Sequence, residues 1–205
     1  MPSVTLSQLT YTGPDGRRLF SNLDLSFGTG RTGLVGRNGV GKTTLLRLMT
    51  SELLPAAGSV SVVGRVGVLR QSVQPGSDET IADLFGQRAG LALLERAMAG
   101  AADTDELAEA DWTLEARLAE ALDALALEVG PDTLLSTLSG GQRTRAALAA
   151  LVFNAPDLIL LDEPTNNLDA EGRAAVADML AEWHGAAIVI SHDRDLLEKM
   201  DAIVE

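Results

Sequence analysis

One stretch constrains this chain more than any other. Gly36-Arg37-Asn38-Gly39-Val40-Gly41-Lys42-Thr43 follows a short apolar strand, Leu34-Val35, and precedes Leu45, Leu46, Leu48, Met49, Leu53 and Leu54 at helical spacing. A strand feeding a glycine loop that opens a helix is the context in which the pattern G-x-x-x-x-G-K-[ST] binds phosphate. Glycines permit a tight turn in which successive N–H groups converge on phosphate oxygens, and the positive end of the helix dipole adds to that field. On that geometry Lys42 reaches the β- and γ-phosphates of a nucleotide and Thr43 offers a hydroxyl to Mg²⁺. A glycine turn beside a surface lysine would not account for the agreement of spacing and context.

The segments around the loop predict an α/β protein. Val4-Thr5-Leu6, Leu19-Phe20 and Leu23-Asp24-Leu25-Ser26-Phe27 read as short strands flanking the turn Gly13-Pro14-Asp15-Gly16, an antiparallel opening. Val60-Ser61-Val62-Val63 and Val66-Gly67-Val68-Leu69 read as two more strands around Gly64. Past Ser139 come a helix through 146–153, an apolar strand at 158–161, a helix around 173–183, a strand at 186–190 and a last one at Ile203-Val204. Continuous apolar runs alternating with helices indicate buried parallel strands.

Between these halves the composition shifts. Residues 95–132 hold eleven acidic side chains against Arg96 and Arg117, which places nine of the thirteen net negative charges there. Leu107, Leu114, Leu118, Leu122 and Leu125 recur at helical spacing in this Ala-rich segment, so it reads as helices with one buried stripe and an acidic solvated face. The expected division is 1–73 with 134–205 as a nucleotide-binding core including the antiparallel part, and 74–133 as an acidic helical subdomain.

Charge and composition narrow the function. With 16 basic and 29 acidic residues the net charge is −13, which argues against a surface that wraps nucleic acid as a whole and makes phosphate binding local. The 205 residues contain no cysteine, which excludes disulfides, thiolate metal sites and thiol nucleophiles. The longest apolar run, 146–153, is far short of the roughly 20 residues of a membrane span. Met1-Pro2-Ser3-Val4-Thr5 offers neither a basic leader nor an apolar signal stretch, so a cytoplasmic location is expected.

Two further constellations carry chemistry. The strand at 158–161 ends in Asp162-Glu163, which sets two carboxylates at the carboxyl end of a buried strand, where open α/β sheets bind ligands. One acid can hold Mg²⁺ while the other orients, or takes the proton of, an attacking water. Leu138-Ser139-Gly140-Gly141-Gln142 opens a helix and forms a second anion cradle, from exposed N–H groups and a hydroxyl. A generic helix cap explains Ser139 but leaves the paired glycines and Gln142 unexplained. Ser191-His192-Asp193 stands at a carboxyl strand end beside the other motifs, which favours a ligand contact by His192, and three consecutive residues cannot form a nucleophile–base–orienter triad, which dismisses a serine hydrolase. His184 has no such context.

With these residues in place the chain resembles an ATP-binding-cassette nucleotide-binding domain, a P-loop NTPase cassette with an antiparallel β subdomain and a helical subdomain. The resemblance rests on the loop at 36–43, a Q-loop glutamine at Gln71, the signature 138–142, the strand and acids at 158–163 and a switch histidine at His192. It implies ATP and Mg²⁺ as ligands and ATP hydrolysis as the activity, with two cassettes meeting head to tail so that each signature faces the other's phosphate loop. The two cradles of one chain then serve different nucleotides.

Carried onto this sequence, the resemblance gives Lys42 and Thr44 to phosphate, Thr43 and Asp162 to Mg²⁺, and Gln71 to metal and water. Glu163 becomes the catalytic base and His192 a γ-phosphate contact. Ser139, Gly140, Gly141 and Gln142 would meet the opposite nucleotide, and Asp169 would sit in the D-loop at the seam. Tyr11 occupies the region of an adenine-stacking aromatic or is simply a strand tyrosine.

Pro164-Thr165-Asn166-Asn167-Leu168-Asp169 and Ser191-His192-Asp193-Arg194-Asp195 are most similar to the first cassette of the ABC-F branch, whose members carry two cassettes in one polypeptide and mostly act on ribosomes. That implies a second cassette and a ribosome as partners of a longer protein. The alternatives are an ATP-binding subunit of a transporter and a module that holds nucleotide without turnover.

Overall fold

The structure, a computed structural model, describes residues 1–69, 76 and 78–205. In chain order the elements are β1 (Ser3–Thr12), β2 (Arg18–Phe27), β3 (Arg31–Leu34), α1 (Lys42–Met49), β4 (Ala57–Val63), β5 (Val66–Leu69), α2 (Ile81–Leu84), α3 (Arg88–Met98), α4 (Thr104–Glu109), α5 (Leu114–Asp123), a 3₁₀ turn (Leu135–Thr137), α6 (Gly140–Phe153), β6 (Leu158–Asp162), α7 (Ala170–Glu182), β7 (Ala186–Ile190), α8 (Arg194–Leu197) and β8 (Ala202–Val204). They form two compact units, one of Met1–Gln71, Pro156–Asn166 and Leu180–Glu205, the other of Ser72–Ala155 and Asn167–Met179. The second unit holds α2 to α6 and most of α7.

The first unit holds both sheets, a three-stranded antiparallel one in the order β2-β1-β4 and a five-stranded parallel one in the order β5-β6-β7-β3-β8. Every residue of β6 and β7 is buried, as expected of central parallel strands covered on both faces. Leu45, Leu46, Leu48 and Met49 of α1 join Val4, Leu6, Leu9 and Phe27 of the antiparallel sheet and Leu158, Leu160, Ile188 and Ile190 of the parallel one in a single core. Each such side chain contributes about 1.5–3 kcal/mol by leaving water, so the helix behind the glycine loop is anchored on both sides.

Three local expectations differ from the structure. Leu19-Phe20 and Leu23 to Phe27 belong to one strand, β2, because Asn22 (φ 50°) absorbs an irregularity in the ladder, its N–H donating to Thr10 Oγ1 at 3.2 Å. The helix after the loop stops at Met49 instead of running through Leu54. Ser51 adopts φ 60°, the Leu53 N–H donates back to the Arg47 carbonyl at 3.1 Å, and Pro55 disfavours helix at Leu54, which is left 80% exposed. In the second unit Leu114, Leu118, Leu122 and Leu125 are buried but Leu107 is not. It lies on α4, a six-residue helix ended by extended backbone at Ala110, so its phase does not carry into α5.

A polar clasp closes the edge of the parallel sheet. The Arg31 guanidinium pairs with Asp201 (Nη2 to Oδ1 2.8 Å, Nε to Oδ2 3.1 Å) and donates from Nη1 to the carbonyls of Leu180 and Ala181 at 3.2 Å. These hydrogen bonds hold the Asp201 carboxyl down to about 2. Together they tie the start of β3 to the last turn of α7 and the approach to β8.

Candidate functional site

Sheet register builds the site. Leu34 at the end of β3 and Asp162 at the end of β6 both pair with Ile190 at the end of β7, so three strands deliver their carboxyl ends in one row. Immediately beyond that row come the 36–43 loop, Glu163, and Ser191 with His192. This is where an open parallel sheet concentrates ligand-binding residues.

The loop is shaped by its glycines and held by its lysine. Gly41 caps α1 in the left-handed region (φ 113°), and a Cβ there would lie 2.8 Å from Cζ of Phe20, so conformation and space both demand glycine. Lys42 Nζ donates to the Gly36 carbonyl at 2.7 Å and the Arg37 carbonyl at 3.3 Å, which centres its ammonium in the loop. Thr43 Oγ1 donates to Asp162 Oδ2 at 2.8 Å, joining the first turn of α1 to the end of β6.

Glu163 stands in the left-handed region, φ 51°, at a cost of about 1–3 kcal/mol for a residue with a Cβ. Its N–H donates to the Ile190 carbonyl at 2.9 Å and its own carbonyl accepts from Asn166 N–H at 3.1 Å, bonds that fix this backbone. Its side chain is 13% exposed, with Oε1 3.4 Å from Nε2 of the half-exposed His192. The backbone behind His192 is held in turn. Buried Ser191 accepts from Asp193 N–H at 3.1 Å, and the Asp193 carboxylate caps α8 through Asp195 N–H and Leu196 N–H.

Lys42, Thr43, Asp162 and Glu163 share a cleft of about 350 Å³ lined also by Leu19, Asn38, Gly39, Gly41, Thr44 and Ile190, a size suited to a small ligand, and His192 lies beside Glu163 without lining the cleft. Leu19 and Ile190 were not among the sequence candidates, since an apolar strand residue carries no chemical signal. Tyr11 pairs with Phe20 across the antiparallel ladder and packs against the core cluster, and Leu19 supplies that wall of the cleft. Gln71 lies outside the described residues.

The second unit carries the segment expected as the other cradle. Ser139 caps α6, its Oγ accepting from Gln142 N–H at 3.2 Å while Gln142 Oε1 accepts from Ser139 N–H at 2.9 Å. This reciprocal capping box accounts for Gln142 as well as Ser139. The glycines divide. A Cβ on Gly141 would lie 2.9 Å from the Asn167 carbonyl oxygen, whereas a Cβ on Gly140 would meet nothing within 4 Å among the described residues. Asp169 sits just before α7, its Oδ1 accepting from Gly172 N–H at 2.8 Å. Gly141→Ala is therefore expected to lower stability by about 1–3 kcal/mol, from overpacking against backbone, while Gly140→Ala leaves the melting temperature at or above wild type. Thermal unfolding of the two variants side by side checks this.

Comparison with known proteins places these features in context. Residues 20–166 match the profile of the family described as ABC transporter. The chain is 38% identical to the tylosin resistance ATP-binding protein TlrC of Streptomyces fradiae, over 93% of this chain and 40% of that one. It is 36% identical to the energy-dependent translational throttle protein EttA of Mycobacterium tuberculosis, over 89% and 36%. The same holds for the probable ATP-binding protein YheS of Escherichia coli, 37% identical over 82% and 24%. The chain thus spans 40% or less of the length of these curated relatives. Among solved structures, a bacterial Atm1-family ABC exporter with ATP bound superposes with a TM-score of 0.78 at 21% identity, over 100% of this chain and 37% of that one, a likeness of fold.

Proposed function

We propose that this chain, which belongs to the ABC transporter family, is an ATP-hydrolysing cassette of the ABC-F type that acts in a pair, with residues 74–133 as its acidic helical subdomain. The observation that carries this reading is the 2.8 Å contact of Thr43 with Asp162 inside a cleft that also holds Lys42 and Glu163. One hydroxyl and one carboxylate are hard oxygen donors, and among the described residues no cluster of three or more His, Cys, Asp or Glu could hold a metal by itself. So small a protein donor set suits Mg²⁺, which keeps several waters and shares its coordination with phosphate oxygens. Bound there, Mg²⁺ would neutralise charge on the β- and γ-phosphates.

The chain's own residues do the rest. The N–H groups of the 36–43 loop, Lys42 and Thr44 grip the phosphates and fix the γ-phosphorus. Glu163 orients a water and accepts its proton as the water oxygen bonds to that phosphorus and the bond to the β–γ bridging oxygen breaks. His192, beside Glu163, contacts the γ-phosphate. In the pair, Ser139, Gly140, Gly141 and Gln142 meet the nucleotide of the opposite cassette, and Asp169 lies at the seam. Binding then favours the closed pair and hydrolysis releases it, a shift of populations.

The 36–38% identity to TlrC, EttA and YheS supports placement in this branch, and the name of EttA supports translation as the process the longer protein serves. No helix among the described residues is long and apolar enough to cross a membrane. A second cassette and the ribosome are the proposed partners, in the cytoplasm. Phosphate release measured against protein concentration tests the shared site: the rate should rise more than linearly, and a specific activity independent of concentration would count against pairing.

A further inference from the structure

Arg145 is a buried cation with no counter-ion among the described residues. It is 9% exposed, its Nε has no hydrogen-bond partner, and no carboxylate pairs with it among the described residues. Burying a guanidinium in this way is unfavourable unless its geometry does something an apolar side chain could not. Its Nη1 donates to the carbonyls of Ala126, at 2.7 Å, and Leu125, at 3.4 Å, just past the end of α5. Ala126 itself lies in the left-handed region, φ 52°.

The stem of the same side chain faces the first turn of α7. A Cβ placed on Gly172 would be 3.3 Å from Arg145 Cδ and 3.0 Å from Asp169 Oδ1. One helical turn earlier on α6, a Cβ placed on Gly141 would be 2.9 Å from the Asn167 carbonyl oxygen. Residues four apart share a helix face, so Gly141 and Arg145 form the face of α6 that receives residues 167–172. Arg145 also reaches the exit of the acidic helices, at the carbonyls of Leu125 and Ala126.

We infer that Arg145 is a positioning residue that locks the Ser139 cradle, the Asp169 turn and the end of α5 into one preassembled block, so that both seam elements reach the opposite cassette in register. This rests on the paired-cassette reading above. It assigns Arg145 no contact with nucleotide. The phosphate loop, Asp162 and Glu163 belong to the first unit, so loss of Arg145 should spare nucleotide binding and impair pairing.

Arg145→Met keeps the volume of the stem and removes the charge and the two carbonyl contacts. Gly172→Ala leaves those contacts intact and presses on Arg145 and Asp169. Both are made in the full chain, alone and with Glu163→Gln. Fluorescent ATP binding is titrated with Mg²⁺, ATP-driven association is followed by sedimentation, and unfolding is followed thermally.

The expected result is a dissociation constant for ATP within about twofold of the parent, with association weakened about tenfold or more. Arg145→Met should melt at or near the parent temperature, and Arg145→Lys should recover part of the association. A merely structural arginine would instead lose stability, binding and association together, and that pattern overturns the inference. So does association within twofold of the parent in either variant. If Arg145→Met does not fold, Gly172→Ala decides by the same criteria. Failure of the unsubstituted chain to bind Mg·ATP is a different result, because it removes the nucleotide site itself.

Discussion

Lys42→Ala should raise the dissociation constant for Mg·ATP by about 100-fold or more while leaving the fold intact. The ammonium sits between the carbonyls of Gly36 and Arg37, at the centre of the loop, where phosphate oxygens would converge. Charge-assisted hydrogen bonds contribute about 1.5–3 kcal/mol each, and contact with two phosphates therefore corresponds to two or more decades at about 1.4 kcal/mol per decade. Lys42 contributes nothing to the hydrophobic core, whose α1 members are Leu45, Leu46, Leu48 and Met49. Removing it should thus change stability by only about 0.5 kcal/mol. Titration of a fluorescent ATP analogue together with thermal unfolding separates the two effects. An unchanged affinity in a folded variant would remove the loop from the binding site.

The loop was legible in the sequence because each of its positions has a chemical or conformational requirement that few residues meet. Asp162 and Glu163 were legible for a related reason, since carboxylates at the end of an otherwise apolar strand are costly to place unless used. What the sequence could not supply was the registration of strands distant in the chain. The row joining Leu34, Ile190 and Asp162 depends on pairings among β3, β6 and β7 that no local pattern encodes. Leu19 and Ile190 enter the cleft through that registration, with nothing in their own chemistry to mark them.

The signature segment shows a different kind of ambiguity. Ser139 and Gln142 satisfy each other across the first turn of α6, and Gly141 is required by the nearby Asn167 carbonyl, so three of the four residues 139–142 have reasons internal to the fold. Gly140 is the position where a Cβ would meet nothing within 4 Å among the described residues. A site for an external ligand is best tested there, because stability and association respond separately. Arg145 was invisible at the sequence level, one arginine on a helix, and only its burial against the 125–126 carbonyls and the 172 backbone sets it apart.

Glu163→Gln should reduce turnover by about 10²–10⁴-fold, the range of general-base contributions, and at the same time increase the fraction of closed pairs in ATP. Glutamine has nearly the same shape, and the bonds that hold the strained backbone of residue 163, to the Ile190 carbonyl and from Asn166 N–H, involve only main chain. Its amide oxygen can still lie beside His192 Nε2, where Oε1 of the glutamate stands at 3.4 Å. The Thr43–Asp162 pair and Lys42 are untouched, so nucleotide affinity survives. What disappears is a carboxylate able to take the water's proton. If hydrolysis is the step that reopens the pair, blocking it must accumulate the closed state, and sedimentation in Mg·ATP should show more dimer than the unsubstituted chain. A variant that loses turnover but forms no additional dimer would mean that ATP does not hold two cassettes together. Retained turnover would move the catalytic base away from Glu163.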